Sequence, residues 1–212
     1  VQTTKECLEK EPNGVIVGPA DIKVTKHFCE TMHERKIPFI LLDSYIPDVN
    51  PLTFFGQDSF SSGKFAAKML MLLAVNDKEI MLFKRMKNGK VASRQQENRE
   101  LGFRHYMNEH FPNVRIAELD VPVEGSPESN EKKLEQFFSA HPGIRNCITL
   151  GSKAHIVGEF LLKTNRRSVQ IMGYDMVEKN AQCLRKGSIS FLIAQHAYMQ
   201  GYHCVDSLFK AI

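Results

Sequence analysis

The chain has 212 residues, 42% hydrophobic and 25% charged, with a formal net charge of +4. That is globular composition, long enough for one large domain or two small ones. The slight basicity does not mark a nucleic-acid binder, which needs Lys and Arg clustered on one face. No apolar run reaches the ~18 residues of a membrane span. No signal peptide opens the chain. Five cysteines (Cys7, Cys29, Cys147, Cys183 and Cys204) are odd in number and widely spaced, without a CxxC pair. They argue against a disulfide framework or a zinc site and fit the reduced, mostly buried thiols of a cytosolic protein.

In chain order, residues 2–10 read as a helix end, and Pro12-Asn13-Gly14 is a turn signal. Val15–Val17 is an apolar strand, followed by a helix over Val24–Arg35 whose Phe28 and Met32 repeat at helical spacing. Ile37–Leu42 is the next strand, ending in Asp43, and Thr53–Gly56 is another, ending in Gln57-Asp58. Ser59 reads as the N-cap of a helix over 60–74 with Phe65, Met69, Leu72 and Leu73 as its apolar stripe. Glu79–Phe83 is a strand, and Lys84–Ser93 a polar loop. A helix over 94–110 turns Leu101, Phe103, Tyr106 and Met107 inward. Val114–Val121 is a strand, and Pro127 opens a helix to Ala140. Cys147–Leu150, Val169–Met172 and Ser190–Ala194 are strands, separated by helices over 153–163 and 178–185. Lys186-Gly187 ends the latter, and a last helix covers 197–211.

This β-α alternation, with strands apolar throughout, predicts an α/β fold of parallel sheets covered on both faces. Counting strands suggests two lobes. The first takes residues 1–84 and is completed by 195–212; the second takes 85–194; loop 84–93 is the crossover. One eight-stranded sheet gives a similar pattern.

Ligands of open parallel sheets collect outside the carboxyl ends of the strands. Asp43, Asp58, Arg99, Ser152, Asp175 and Gln195 lie there. Carboxylates accept from hydroxyl pairs and a guanidinium donates in a fork, a set that suits a sugar or other polyol. Phe54, Phe55, Tyr174 and Phe191 are candidate stacking rings, with core the commoner role for such a ring. For the carboxylates the alternatives are an N-cap or a solvated loop end. No GxSxG, HExxH, P-loop or GxGxxG spacing occurs, and the eight histidines are scattered. The chain is read as non-catalytic, without metal or cofactor.

Six segments carry a resemblance: GVIVGP, IPFILLD, FFGQDSFSSGKFAAKMLMLL, RELGFRHYM, VQIMGYD and GSISFLIAQHAYMQGYHCVDSL. In this order they resemble the ligand-sensing domain of LacI/GalR transcription regulators. Sugar-binding periplasmic proteins of the same type I fold are similar. The resemblance implies two α/β lobes with a sugar-like effector between them, signalling by lobe reorientation in a homodimer. It matches Asp58 to a first-lobe aspartate on ligand hydroxyls, and Arg99 and Asp175 to second-lobe ligand contacts. Gln195 matches a glutamine or aspartate near the hinge, and Ser152 a position that is often asparagine. Tyr174 precedes Asp175 in the Gly-Tyr-Asp frame. His196-Ala197 departs from the Asp-Pro common in the binding proteins. The resemblance further implies a strand, helix and strand ahead of residues 2–10 and a DNA-binding domain, both outside this sequence. A cytoplasmic regulator is the leading expectation, and a periplasmic sugar-binding protein the alternative. An upstream helix-turn-helix or signal peptide separates the two.

Overall fold

The structure, a computed structural model, describes residues 2–19, 21–91 and 93–212. It divides into two compact units, Val1–Gln57 with Gln195–Ile212, and Asp58–Ala194.

The first unit is built on a three-stranded parallel sheet of β1 (Val15–Val17), β2 (Phe39–Asp43) and β3 (Phe54–Gly56), in that order. Alternation along β2 sends Phe39 and Leu41 to one face and Ile40 and Leu42 to the other. On the first face they meet Phe28, Cys29 and Met32 of α2 (Ile22–Glu34), with Cys7 and Leu8 of α1 (Gln2–Glu9) alongside. Asp21 starts α2, accepting a hydrogen bond from the Val24 amide at 2.9 Å. On the second face Ile40 packs against Cys204 and Leu208 of the closing helix α8 (Ala197–Ala211). Residues 195–212 thus complete the first unit.

The second unit begins with α3 (Ser59–Leu73), β4 (Glu79–Lys87), β5 (Lys90–Val91) and α4 (Arg94–His110). It continues with β6 (Arg115–Pro122), α5 (Pro127–Ala140), β7 (Asn146–Thr149) and α6 (Ala154–Lys163), and closes with β8 (Gln170–Tyr174), α7 (Glu178–Arg185) and β9 (Ile189–Ile193). Five strands run parallel in the order β6-β4-β7-β8-β9, with β5 antiparallel on the end of β4. Both faces are buried. Ile80, Leu82, Ile148 and Met172 meet α3 and α4 on one side, and Met81, Phe83, Cys147 and Ile171 meet α5 and α6 on the other. This is why the strands are apolar without alternation. The chain leaves β4 for β6 and then returns past β4 to β7, so the winding direction reverses between β4 and β7.

Four expectations are corrected. The division falls at 57/58, not 84/85: α3 and β4 belong to the second unit. The supposed crossover loop 84–93 is largely strand. Asn88 and Gly89, at φ +51° and +73°, turn β4 directly into β5. Two consecutive positive-φ residues of the Asn-Gly type make the hairpin turn whose twist suits two strands. The cap of α3 is Asp58, not Ser59: its carboxylate accepts from the Ser61 amide at 3.1 Å. Finally, the predicted stripe of α3 faces outward. Phe65, Leu72 and Leu73 are exposed, as is Leu101 of α4, while Ser62, Gly63, Ala66, Ala67 and Leu70 are buried. The helices approach through two glycines: a Cβ on Gly63 would lie 1.9 Å from the Arg99 carbonyl oxygen, and one on Gly102 1.9 Å from that of Phe60. Backbone contact of that kind demands a small-residue face, so apolar bulk did not choose the buried side.

Candidate functional site

The second unit's strand ends carry most of the candidate residues. Arg99 sits in the second turn of α4, which starts just beyond the β4-β5 hairpin with Ser93 as its cap; the Ser93 hydroxyl accepts from the Gln96 amide at 3.3 Å. From there the guanidinium reaches the end of β7, donating from Nη1 to the Leu150 carbonyl at 3.0 Å. The two strands whose ends it spans are those at which the winding reverses, the place where open α/β sheets take ligands. The Arg99 guanidinium carbon lies 3.9 Å from the centroid of the Tyr174 ring. A cation over an aromatic face gains roughly 0.5–2 kcal/mol, most when desolvated, and Arg99 is only 1% exposed.

Tyr174 is set by the Gly-Tyr-Asp order at the end of β8. Gly173 faces α6, where a Cβ would lie 2.6 Å from that of Ala154. Tyr174 therefore points to the opposite side, toward α3 and α4. Its hydroxyl donates to the Ser62 carbonyl at 3.0 Å and lies 2.8 Å from the Ser62 hydroxyl, which donates to it. Burial pushes the phenol up from its ordinary value. Tyr174 is 0% exposed. This corrects its placing among the ligand-contacting rings: it is the floor under Arg99. The next residue, Asp175, leaves the strand at φ +66°, a left-handed conformation that aspartate tolerates better than most residues. Its amide donates to the Ile193 carbonyl at 3.0 Å.

Ser152 follows β7, half-buried, and its carbonyl accepts from the Asn180 amide nitrogen at 3.0 Å. Asp58 lies in the second unit, which corrects its assignment to the first. Its carboxylate is exposed and is held below the usual carboxylate range by the Ser61 hydroxyl, which donates at 2.7 Å, and by the Ser61 amide. The N-cap alternative for this carboxylate is thus realised in the fold. Gln195 belongs to the first unit, where its carbonyl accepts from Gln200 Nε2 at 2.7 Å. So Arg99, Tyr174, Asp175 and Ser152 are brought to one edge of one sheet, Asp58 caps a helix of the same unit, and Gln195 is in the other. Among the remaining rings, Phe55 stacks on His203 at 5.7 Å and Phe54 meets Tyr45 edge-on at 5.4 Å, both within the first unit. Phe191 packs beside the core under α3 and α4.

Two residues that the sequence did not single out organise this edge. Asn180 and His155 are buried, at 0% and 8% exposure. The Asn180 side chain bonds five times, to β8, to the loop after β7 and to the start of α6. Burial pushes the His155 imidazole below its ordinary value, opposed by its bond to Asn180. An asparagine inside a helix carries no local motif, so no spacing could have marked it.

The comparisons agree with this architecture. The family model described as "Periplasmic binding protein domain" matches residues 1–212. A solved chain from Bacteroides fragilis, assigned as a LacI transcriptional regulator, is 43% identical at a TM-score of 0.91; the match covers 98% of this chain and 71% of that one. The sugar-binding protein of a sugar ABC transporter from Bacillus halodurans shares the fold, at a TM-score of 0.86 and 20% identity over 98% of this chain and 70% of its own. A curated relative, the xylose/arabinose-binding protein XylF of Sulfolobus acidocaldarius, is 23% identical over 223 residues, covering 95% of this chain and 52% of the relative. The chain thus spans about half the length of that curated protein. With a doubly wound sheet and a family model matched from end to end, the chain belongs to the periplasmic binding protein domain family and has the α/β fold of its type I members.

Proposed function

We propose that this chain is the sugar-sensing domain of a LacI-type transcription regulator, a non-catalytic cytoplasmic homodimer that contacts DNA through a part of the protein outside these 212 residues. The observation that carries the ligand class is Arg99: a guanidinium held on the Leu150 carbonyl and the Tyr174 face, one residue along the chain from the Asp175 carboxylate. A fork of donors and a nearby acceptor suit the alternating demands of a polyol. Because the guanidinium is held by the fold, little of its ordering cost is left for the moment of binding. The 43% identity to the Bacteroides fragilis chain favours the regulator. Five free thiols, four of them buried, are in keeping with a reducing compartment. The sugar acts by its differential affinity for two states of the protein.

A second reading, a sugar-binding protein for transport or receptor signalling, is favoured by the names of the Bacillus halodurans and Sulfolobus acidocaldarius relatives. The test is a thermal-shift panel of pentoses and hexoses. One sugar is expected to raise the midpoint by several degrees, since a ligand at 100 times its Kd stabilises by about 2.7 kcal/mol. A panel with no stabilising sugar overturns the ligand class. A mobility-shift assay on the whole protein separates the two readings: sugar-dependent retention of DNA supports the regulator, and no retention under either condition supports the transport protein.

A further inference from the structure

We infer that Asn180 is a positioning residue of the proposed sugar site, a side-chain staple that holds Asp175 and Ser152 where a ligand meets them. The inference rests on the sugar-site reading above. Asn180 lies in the first turn of α7 and is wholly buried. The two N–H groups of its Nδ2 serve three carbonyls, one bond being shared: Ser152 at 3.0 Å, Tyr174 at 3.0 Å and Asp175 at 2.9 Å. Its Oδ1 accepts from the His155 amide at 2.9 Å and from His155 Nδ1 at 2.9 Å.

The orientation of this amide is forced. A backbone N–H can only donate and a carbonyl can only accept, so Oδ1 must face His155 and Nδ2 the three carbonyls. The same logic puts the imidazole proton on Nδ1. One side chain therefore joins three stretches: the loop after β7, the end of β8 with the left-handed Asp175, and the first turn of α6. α6 has no side-chain cap of its own from Lys153, and Asn180 Oδ1 takes the His155 amide instead. Removing the amide takes a donor from three carbonyls at once, all on residues of this edge. The left-handed Asp175 then loses the bond to its carbonyl and keeps that of its amide on Ile193.

The experiment compares Asn180→Ala, Asn180→Asp and the remote core variant Leu134→Ala, which serves as a control for lost stability (Leu134 lies on the buried face of α5). Affinity for the stabilising sugar of the panel is read by titration calorimetry, and backbone amide exchange is read over 152–155 and 174–176. Both Asn180 variants are expected to bind at least tenfold more weakly. The aspartate keeps an acceptor for His155 but turns an oxygen toward three carbonyls, so it fails with the alanine. Leu134→Ala lowers the melting temperature and leaves affinity within twofold. Unchanged affinity in Asn180→Ala, or an equal loss in Leu134→Ala, overturns the inference. If no sugar binds the unmodified protein, the sugar reading falls by itself and the exchange data decide on Asn180. Faster exchange at both segments than in Leu134→Ala supports the staple, and equal exchange refutes it.

Discussion

The contact between Tyr174 and Arg99 can be taken apart with two substitutions. Tyr174→Phe keeps the ring under the guanidinium and removes only the hydroxyl, which bonds the Ser62 carbonyl at 3.0 Å and lies 2.8 Å from the Ser62 hydroxyl. The Ser62 carbonyl retains a partner inside α3, but the buried Ser62 hydroxyl does not, and an unpaired buried group costs about 1–3 kcal/mol. At roughly 2–4 °C per kcal/mol for a protein of this size, the midpoint falls by several degrees. Sugar affinity changes by less than a factor of three, because the 3.9 Å cation–ring contact survives. Tyr174→Leu removes the ring as well. It forfeits the cation–π energy of about 0.5–2 kcal/mol and leaves a gap beneath Arg99, so affinity drops tenfold or more. Calorimetric titration beside a melting curve reads both. Equal affinity losses in the Phe and Leu variants refute the idea that the ring positions the guanidinium.

Further outcomes follow from the same geometry. Gly63→Ala sets a methyl 1.9 Å from the Arg99 carbonyl oxygen; overpacking of about 1–3 kcal/mol or more exceeds the ~1 kcal/mol of helix propensity gained, so urea unfolding shows a net loss, and a stabilised variant contradicts the close helix crossing. Asp58→Asn keeps an N-cap and holds stability within about 0.5 kcal/mol, whereas Asp58→Ala loses about 1 kcal/mol; a sugar-affinity loss in both marks Asp58 as a ligand contact, and a loss in neither leaves it a cap alone. His155 gives a pH signature. Its pKa is lowered by burial, with Glu159, Lys153 and Lys179 as its charged neighbours. As pH falls below the unfolded value of about 6.5, the unfolded chain takes up a proton that the folded protein refuses, so stability declines from pH 7.5 to 5.5. Asp58 and Glu118, whose folded pKa values are lowered, withdraw their contributions only at more acidic pH. His155→Gln is expected to flatten the 7.5-to-5.5 slope, and an unchanged slope removes His155 as its source.

How far the fold could be read depended on where its determinants lie along the chain. Helices α5, α7 and α8 were legible almost to the residue, because local punctuation bounds them: Ser126-Pro127 opens α5, and Gly187, at φ +78°, closes α7. The Asn88-Gly89 pair is equally local, and its φ values make it a hairpin turn where residues 84–93 suggest a loop. The burial of α3 was not local. Gly63 and Gly102 are 39 residues apart in number, and only their meeting explains why Phe65 and Leu72 turn to solvent. The unit boundary failed for the same reason, since β4 is assigned by its partners β6 and β7, not by its own residues. At the site, Arg99, Asp175 and Ser152 were legible as polar groups at strand ends. That Tyr174 lies beneath Arg99 and that Asn180 joins three carbonyls are facts of packing, invisible to spacing.

The most direct test of the central claim is titration calorimetry of the protein and of its Arg99→Ala and Asp175→Ala variants with the sugar that stabilises it most. Each variant is predicted to lose about 1.5–3 kcal/mol of binding free energy, the scale of a charged hydrogen bond, which is roughly ten- to 150-fold in Kd. Unchanged affinity in both variants contradicts the placement of the ligand at the β4–β7 switch point.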